Sequence, residues 1–493
     1  MSIPIPTNQP RHAAAVAGRA VLILVGAATI GIAVAWFPPL ALLFCGLAIV
    51  IAASRVTEAL SVLVFWTLPY LLLNMPTGVF TLKLPELVTY VFAMAVVVRV
   101  ILRRERPALP PAMVPVMVFL AVQAISAAFS PVVPIPYEGG FSPTDRNNVN
   151  FRAASVVIWL GLSWLVVMAL YHVVGSRPSL YKRCVRAHIL SGTVACIISL
   201  VGYVLALRGF QVSLGIGHAR SMVFDTGAYF RLTGVSYEPA LMAFYILTVL
   251  PVTVVVLLTR RSWLPRPLAI LALTVQAMAL IFTFSSSGWS SVIAALAALA
   301  LFLRPTSRQK RRGLRLVLVG SVIAALMLCV SLSNPLVSHI LLDPVGKITG
   351  GGYAERNDEI TTGYTIFHAY PWLGVGPGMA PFFFARYHPT VRNTIIGDVH
   401  TINNLYANTL AETGIIGMVS LVCCAAAGLL ALLLTIRRQG AVNMPILSAL
   451  TASLLGTIVH FWSNQILFLI YLSALLGLAT AGERVAGSGV ESA

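Results

Sequence analysis

Side chains that could bind an anion or accept a proton are concentrated in one hydrophilic stretch of this apolar chain, residues 334–412. The candidates in it are Arg356, His400, Asn403, Asn404 and Glu412. An arginine stays charged and presents a planar fork of donors that suits phosphate. A histidine has an unperturbed pKa of about 6.5, so it can take a proton from a hydroxyl near neutral pH. These residue types predict a site that binds an anionic group and activates a hydroxyl.

The composition is that of an integral membrane protein. Hydrophobic residues make up 58% of the 493 residues and charged residues only 10%, whereas about a quarter of a soluble domain is charged. A spanning helix needs about 20 mostly apolar residues. The sequence predicts fourteen such spans, at 18–36, 39–53, 58–75, 84–102, 112–130, 153–174, 189–208, 239–259, 268–285, 289–303, 316–333, 413–436, 444–462 and 464–482. We therefore expect an all-α polytopic membrane protein.

The basic residues alternate between loops and so indicate an orientation. With both termini in the cytoplasm, the cytoplasmic connections hold 22 of the 33 basic residues and 4 of the 15 acidic residues. The formal charge of +18 is then explained by a positive inner face against anionic lipids, and no nucleic-acid partner is expected. The long outer loops are 131–152, 209–238 and 334–412.

This orientation divides the chain into three parts. Residues 1–333 hold helices 1–11 with the outer loops 131–152 and 209–238. Residues 334–412 form the large outer loop, and residues 413–493 hold helices 12–14 and a cytoplasmic tail. The predicted spans contain few ionisable side chains, and a transporter path tends to need them. The chemistry is therefore expected in the outer loops.

A helix is predicted to begin near Arg356 and to lie on the helix bundle. Ile360, Tyr364 and Phe367 share one helical face. Pro371 would end the helix, because proline cannot continue the hydrogen-bonding pattern. Arg356 would then lie at the start of an amphipathic helix at the membrane surface.

Acidic residues around this helix have two interpretations. Glu355, Asp358 and Glu359 could hold a divalent cation, since carboxylates are the ligands that such cations prefer. They could equally form a solvated helix face. No cluster of familiar metal-ligand spacing is present, so we predict no metal and no cofactor.

Polar residues precede the predicted span at 413–436. His400, Asn403, Asn404 and Asn408 follow helical spacing. The amides could hydrogen-bond a sugar or orient the histidine, or the segment could simply be the polar start of a helix. The glycines between Gly374 and Gly378 follow no strand and precede no Lys-Ser/Thr pair, so they predict a tight turn and not a nucleotide loop.

Arg231 would lie just outside the span that begins near Pro239. An arginine on the outer side runs against the positive-inside bias and needs a reason. It could bind an anionic group at the membrane surface. Alternatively, Arg231 forms a salt bridge with Glu238 or Asp225, or its side chain reaches lipid headgroups.

In this order, the motifs resemble the O-antigen ligase and O-antigen polymerase superfamily of bacterial inner-membrane glycosyltransferases. The resemblance rests on Arg231 with Gly234 and Pro239, Arg356 ahead of Pro371-Trp372-Leu373-Gly374-Val375-Gly376-Pro377-Gly378, His400 with Asn403 and Asn404, and Leu410-Ala411-Glu412-Thr413-Gly414. Its most specific part covers 356–417. The family often has an arginine in a short serine-containing motif near residue 286, where this chain has Ser285-Ser286-Ser287-Gly288.

The resemblance implies a GT-C-like fold, with a large periplasmic loop, and a donor glycan on undecaprenyl pyrophosphate. Arg231 and Arg356, with Arg220 as a third, would bind the pyrophosphate and stabilise the charge on the leaving group. His400 would orient or deprotonate the acceptor hydroxyl. Asn403, Asn404, Glu412 and Glu238 would position the sugar or the histidine.

Several activities share these residues. A polymerase of O-antigen or exopolysaccharide repeat units is the first hypothesis; the others are a ligase that transfers glycan to lipid A-core and an oligosaccharyltransferase that acts on protein. A flippase for the same lipid-linked glycan is an alternative of a different class. The expected partners are the undecaprenyl-pyrophosphate-linked glycan, an acceptor glycan or lipid A-core, membrane lipids and a chain-length regulator.

Overall fold

The structure is a computed structural model that describes residues 50–76, 81–130, 143–210, 223–225, 230–236, 238–259, 263–303, 351–388, 402–439, 444–463 and 470–487. In this part of the chain, six helices are long and apolar enough to cross a membrane, and four shorter apolar helices accompany them. The predicted class, an all-α multi-pass membrane protein, is confirmed. The predicted spans at 18–36 and 316–333 and most of the one at 39–53 lie outside the described residues.

The helices account for most of the described residues. In chain order the elements are α1 (Thr57–Thr67), β1 (Asn74–Pro76), β2 (Thr81–Lys83), α2 (Leu84–Arg103), α3 (Met113–Phe129), α4 (Pro143–Val173), α5 (Pro178–Leu207), β3 (Val223–Asp225), β4 (Phe230–Leu232), α6 (Pro239–Leu258), α7 (Arg266–Phe282), α8 (Ser286–Leu303), α9 (Gly351–Ala369), α10 (Ala380–Tyr387), α11 (Leu405–Gln439), α12 (Pro445–His460) and α13 (Ile470–Gly487). The strands form two antiparallel hairpins, β1–β2 and β3–β4, which the sequence did not predict.

The predicted span at 58–75 is wrong as a continuous helix, because α1 ends at Thr67. Pro69 has no N–H to continue the helix. The carbonyl groups freed by the break are hydrogen-bonded by neighbouring helices: Ser191 Oγ donates to the Trp66 carbonyl at 2.7 Å, and Tyr471 Oη donates to the Pro69 carbonyl at 3.4 Å. Non-helical backbone is tolerated inside a bundle only with such partners.

At one end of the bundle, arginine side chains form hydrogen bonds that join neighbouring helices. Arg484 Nη1 donates to two carbonyls in the last turn of α4, both at 3.1 Å. Arg186 Nε donates to the Trp263 carbonyl at 2.6 Å, and Arg99 Nη1 donates to Thr57 Oγ1 at 2.8 Å. We call this the basic end. Several helices begin or end here, next to the arginine-rich connections that the sequence analysis assigned to the cytoplasm.

At the opposite end, two segments distant in sequence, 371–376 and 411–416, join through their backbones. We call this pair the locked turn. Its hydrogen bonds run from Val375 N to Ala411 O (3.0 Å), from Gly376 N to Glu412 O (2.8 Å) and from Ile415 N to Pro371 O (2.8 Å). Ser126 of α3 donates to the carbonyls of Leu373 and Glu412, at 2.7 and 3.2 Å. The locked turn therefore fixes the stretch after α9, the middle of α11 and the end of α3 to one another.

Glycines make this close contact possible. Gly414 interrupts α11 with φ 64° and ψ −163°, and a Cβ at this position would lie 2.3 Å from the Trp372 carbonyl oxygen. Gly374 also has φ 64°, and its Cβ would lie 2.3 Å from the Glu412 carbonyl carbon. Residues with a side chain rarely adopt this left-handed conformation. The predicted tight turn is confirmed, and its glycines are required by the backbone that crosses it.

We expect Gly414→Ala to lower the unfolding temperature of the detergent-solubilised protein. Alanine at a positive φ that also meets a carbonyl costs more than about 1 kcal/mol. Gly428→Ala, in the same helix, is the matched control because nothing lies within 4 Å of its Cβ. Thermal unfolding of both variants in the same detergent checks this, and equal unfolding temperatures would contradict the role of Gly414.

Candidate active site

Arg356 lies in α9, on its exposed side. It makes no hydrogen bond or ion pair with any residue that the structure describes. The adjacent face of α9, which includes the buried Glu359, packs on α11. Arg356 therefore lies beside the packed face of the helix and is itself exposed.

The buried face of α9 differs from the predicted one. The buried residues are Glu359, Thr362, Gly363 and Ile366. A Cβ at Gly363 would lie 3.1 Å from the Cβ of Ala407 in α11, so the two helices meet closely at this glycine. Tyr364, expected on the packed face, remains 42% exposed. The prediction was wrong for Tyr364 because it counted only large apolar residues, whereas the closest approach to α11 is made at Gly363.

Glu359 connects α9 to the segment that leads into α11. Its Oε2 accepts a hydrogen bond from the backbone N–H of Asn403 at 3.0 Å, and its Oε1 accepts one from Asn403 Nδ2 at 3.2 Å. Only 7% of Glu359 is exposed. The interpretation of Glu359 as part of a solvated helix face is therefore wrong. In the described residues, no group of three His, Cys, Asp or Glu side chains is placed to hold a metal ion.

The sequence spacing predicted that Asn403 and Asn404 lie in a helix. They precede it instead, because α11 begins at Leu405. Asn404 Oδ1 accepts the N–H of Ala407 at 2.9 Å and so caps the first turn of α11. Its Nδ2 donates to the Trp462 carbonyl at 2.8 Å, which joins α11 to the end of α12. His400 lies outside the described residues.

Glu412 lies two residues before the break in α11, ahead of the apolar stretch that crosses the membrane. Its carboxyl group accepts hydrogen bonds from the backbone amides of Gly378 and Ala380 and from the side chain of Asn408, and it lies near the charge of Arg152. The carboxyl group therefore joins the start of α10 to α11, in addition to the backbone bonds of the locked turn.

Arg152 is a basic residue near this carboxyl that the sequence analysis did not single out. It is half-buried, and its guanidinium carbon lies 5.3 Å from the ring centroid of Phe382 in α10. Gly378 packs against its side chain. The signal that could have found it is the one used for Arg231: a basic residue on the expected outer side of a membrane protein.

Arg231 is held by the turn between α7 and α8. It lies in β4 opposite Phe224, and it is half-buried. Its Nε donates to the Thr283 carbonyl and its Nη2 to the Phe284 carbonyl, both at 3.2 Å. These bonds fix the plane of the guanidinium at the C-terminal end of α7, where the carbonyls favour a cation.

The other candidates from the sequence in this region are Glu238 and Arg220. Glu238 is exposed and immediately precedes α6. The described hydrogen bonds of Arg231 go to carbonyl groups of the turn between α7 and α8. Arg220 lies outside the described residues.

A continuous series of contacts runs from the turn that holds Arg231 towards α9. The side chain of His460 hydrogen-bonds the backbone of Ser287, at the start of α8. Trp462, two residues further on, accepts the hydrogen bond from Asn404 described above. Asn403 is the neighbour of Asn404 and is bound by Glu359. Arg231 and the helix of Arg356 therefore belong to the same end of the bundle, opposite the basic end.

At this end of the helix bundle, arginine side chains lie beside packed apolar helices, which is an arrangement suited to anion binding. Arginines provide positive charge that does not titrate near neutral pH. Rigid helix ends and backbone hydrogen bonds hold the segments that carry them. Such an arrangement can bind a phosphate-containing group and stabilise negative charge that develops on it.

Residues 268–422 match a family model described as O-antigen ligase. The match begins in α7 and ends in α11, so it includes Arg356, the locked turn and Glu412. Arg231 lies before the match but binds carbonyls inside it. Comparison with the curated proteins gives no match. Residues 268–422, about a third of the chain, are therefore similar to the O-antigen ligase family.

Proposed function

We propose that this protein is a glycosyltransferase that transfers or polymerises glycan from undecaprenyl pyrophosphate onto an acceptor hydroxyl, and that it is an O-antigen or exopolysaccharide polymerase. One observation carries the proposal. The matched family segment contains Arg356, and the same segment supplies the carbonyls that hold Arg231. Two arginines thus belong to one end of a membrane bundle, where a charged lipid head would arrive.

In this proposal the arginines bind the donor through its pyrophosphate. Arg231 is held in a fixed plane by two carbonyls, so little reorganisation accompanies binding. Arg356 is exposed on α9 and supplies the second guanidinium. As the acceptor oxygen bonds to the anomeric carbon, the bond from that carbon to the phosphate oxygen breaks. The arginines stabilise the charge on the departing pyrophosphate, and His400 takes the hydroxyl proton. Asn403, Asn404, Glu412 and Glu238 position the reacting groups or the helices that carry the site residues.

The level of the site in the membrane supports this donor. Trp372 of the locked turn is 70% exposed, and its carbonyl accepts the N–H of Ile416, which is 41% exposed. Tryptophan is enriched at the boundary between membrane and water. A polyprenyl tail can stay in the bilayer there while its pyrophosphate reaches the arginines. We place this end at the periplasmic face of the inner membrane and the basic end in the cytoplasm.

Three alternatives use the same end of the protein. A ligase would transfer the glycan to lipid A-core, and an oligosaccharyltransferase would transfer it to protein. A flippase would need a polar path through the bundle. Two buried histidines of the described spans are instead enclosed by packing: His188 contacts Thr248 at 3.2 Å, and His460 stacks on Phe244 with ring centroids 4.8 Å apart. This observation favours a transferase.

The glycans of a strain that lacks this protein distinguish the activities. A gel that shows single repeat units in place of a ladder is the result that we expect from loss of a polymerase. Long chains left on the polyprenyl carrier, with unmodified lipid A-core, would identify a ligase. Normal amounts of both lipid-linked and surface glycans would contradict the proposal and would indicate a different acceptor, such as protein.

Arg356→Ala is expected to abolish glycan transfer, and Arg356→Lys to impair it by about tenfold or more, because an ammonium group cannot reproduce the bidentate fork. Arg386→Ala is the matched control. Arg386 is also exposed and lies in α10, within the matched segment. The glycan ladder of the complemented deletion strain measures transfer, and immunoblots of membranes measure insertion. Full activity of Arg356→Lys would indicate a plain charge effect.

His400→Ala should abolish transfer while the protein still inserts, because the acceptor hydroxyl would lose its proton acceptor. The same ladder assay measures this. Wild-type activity in this variant would remove the proton-transfer role.

Chelation tests the expectation that no metal takes part. Activity in membranes should persist in excess EDTA, since pyrophosphate is a good leaving group that arginines can neutralise. If EDTA abolished activity and one added cation restored it, the reaction would depend on a metal, and the acidic residues of α9 would become candidate ligands.

A further inference from the structure

The carboxylate of Glu359 makes a contact that the proposed chemistry does not use. Both of its oxygens bind one residue, Asn403: one accepts the backbone N–H and the other accepts the side-chain amide. A buried carboxylate is costly unless its oxygens are hydrogen-bonded. Here α9 contributes such a group to a segment 44 residues further along the chain. The contact is long-range and forms between two elements that otherwise belong to separate parts of the matched segment.

The location of this contact connects it to the candidate site. Glu359 lies one helical turn after Arg356, and residues three apart on a helix are neighbours on its surface. Asn403 immediately precedes Asn404, which is fixed to α11 and to the end of α12. The rotation of α9 about its own axis, and with it the direction of Arg356, is therefore set in part by the bond between Glu359 and Asn403.

We propose that Glu359 is a positioning residue for the transfer reaction: through its two hydrogen bonds to Asn403, it holds α9 in the orientation that presents Arg356 to the donor pyrophosphate. This inference rests on the proposed function. It assigns Asn403 to the protein framework, in place of the direct contact with the sugar that the sequence had indicated. It also predicts that a different pair of side chains with the same hydrogen bonds would serve equally well.

A swap of the two groups tests the proposal. Asn403→Asp places two carboxylates against each other, and we expect the initial rate of transfer to fall by about tenfold or more, because hydrogen bonds to charged groups are worth this much. Adding Glu359→Gln to Asn403→Asp restores both bonds: the Gln oxygen accepts the backbone N–H, and its amide donates to the new carboxylate. The double variant should recover to within about threefold of wild type.

The assay uses full-length protein reconstituted in liposomes and undecaprenyl pyrophosphate carrying the host's own repeat unit, extracted from the deletion strain. Unfolding temperatures are measured alongside. Glu86→Gln is the matched control, because Glu86 also accepts a backbone N–H, that of Lys83 at 3.1 Å, but does so at the start of α2. It should transfer glycan at the wild-type rate.

Each outcome has a separate meaning. Rescue of Asn403→Asp by Glu359→Gln supports the proposal. A double variant as inactive as Asn403→Asp, although it unfolds at the wild-type temperature, would overturn it and return Asn403 to a direct role. Wild-type activity of Asn403→Asp would also overturn it. Absence of transfer by the wild-type protein would instead contradict the proposed function itself.

Discussion

The arrangement of the site end depends on one constraint: the backbones of residues 371–376 and 411–416 must cross in contact. Their hydrogen bonds use amides and carbonyls that would otherwise be unsatisfied at the break in α11. The crossing leaves no space for a Cβ at Gly374 or Gly414. The crossing holds the stretch after α9 against the middle of α11. The carboxyl groups of Glu359 and Glu412 add further hydrogen bonds between the same elements.

This constraint explains how two short motifs of the sequence depend on each other. Pro371 to Gly378 provides the turn, and Glu412 to Gly414 provides the partner backbone with the break. Each segment supplies hydrogen-bond partners to the backbone of the other. The sequence indicated the turn from its glycines alone. It could not indicate what the turn binds, because the partner lies more than thirty residues away and carries no complementary pattern.

The helices were predictable where apolar length decides the structure. The spans at 84–102 and 239–259 correspond closely to α2 and α6, because a continuous apolar run in lipid can satisfy its backbone only as a helix. Predictions failed where neighbours supply the backbone partners. The helix α1 ends early, just before Pro69, where Ser191 and Tyr471 bind the carbonyls at the break. Asn404 ends the predicted helical run because its side chain caps α11.

The site residues follow the same distinction. The types of Arg231 and Arg356 indicated anion binding, and the structure places both at one end of the bundle. The carbonyl contacts of Arg231, the bond between Glu359 and Asn403, and the position of Arg152 beside Glu412 depend on tertiary packing, for which a single sequence carries no periodic signal. The acids were the least predictable group, since Glu359 reads as a surface charge until its long-range partner is known.

The most direct test of the account is the fate of the carrier lipid. Purified protein in liposomes would be given the donor, undecaprenyl pyrophosphate carrying the host's repeat unit, and the products would be measured by mass spectrometry. We expect free undecaprenyl pyrophosphate to appear in proportion to extended glycan, and Arg231→Ala and Arg356→Ala each to abolish its release. Donor that crosses the bilayer with its glycan intact, and no released pyrophosphate, would contradict a transferase and indicate a lipid-linked glycan flippase.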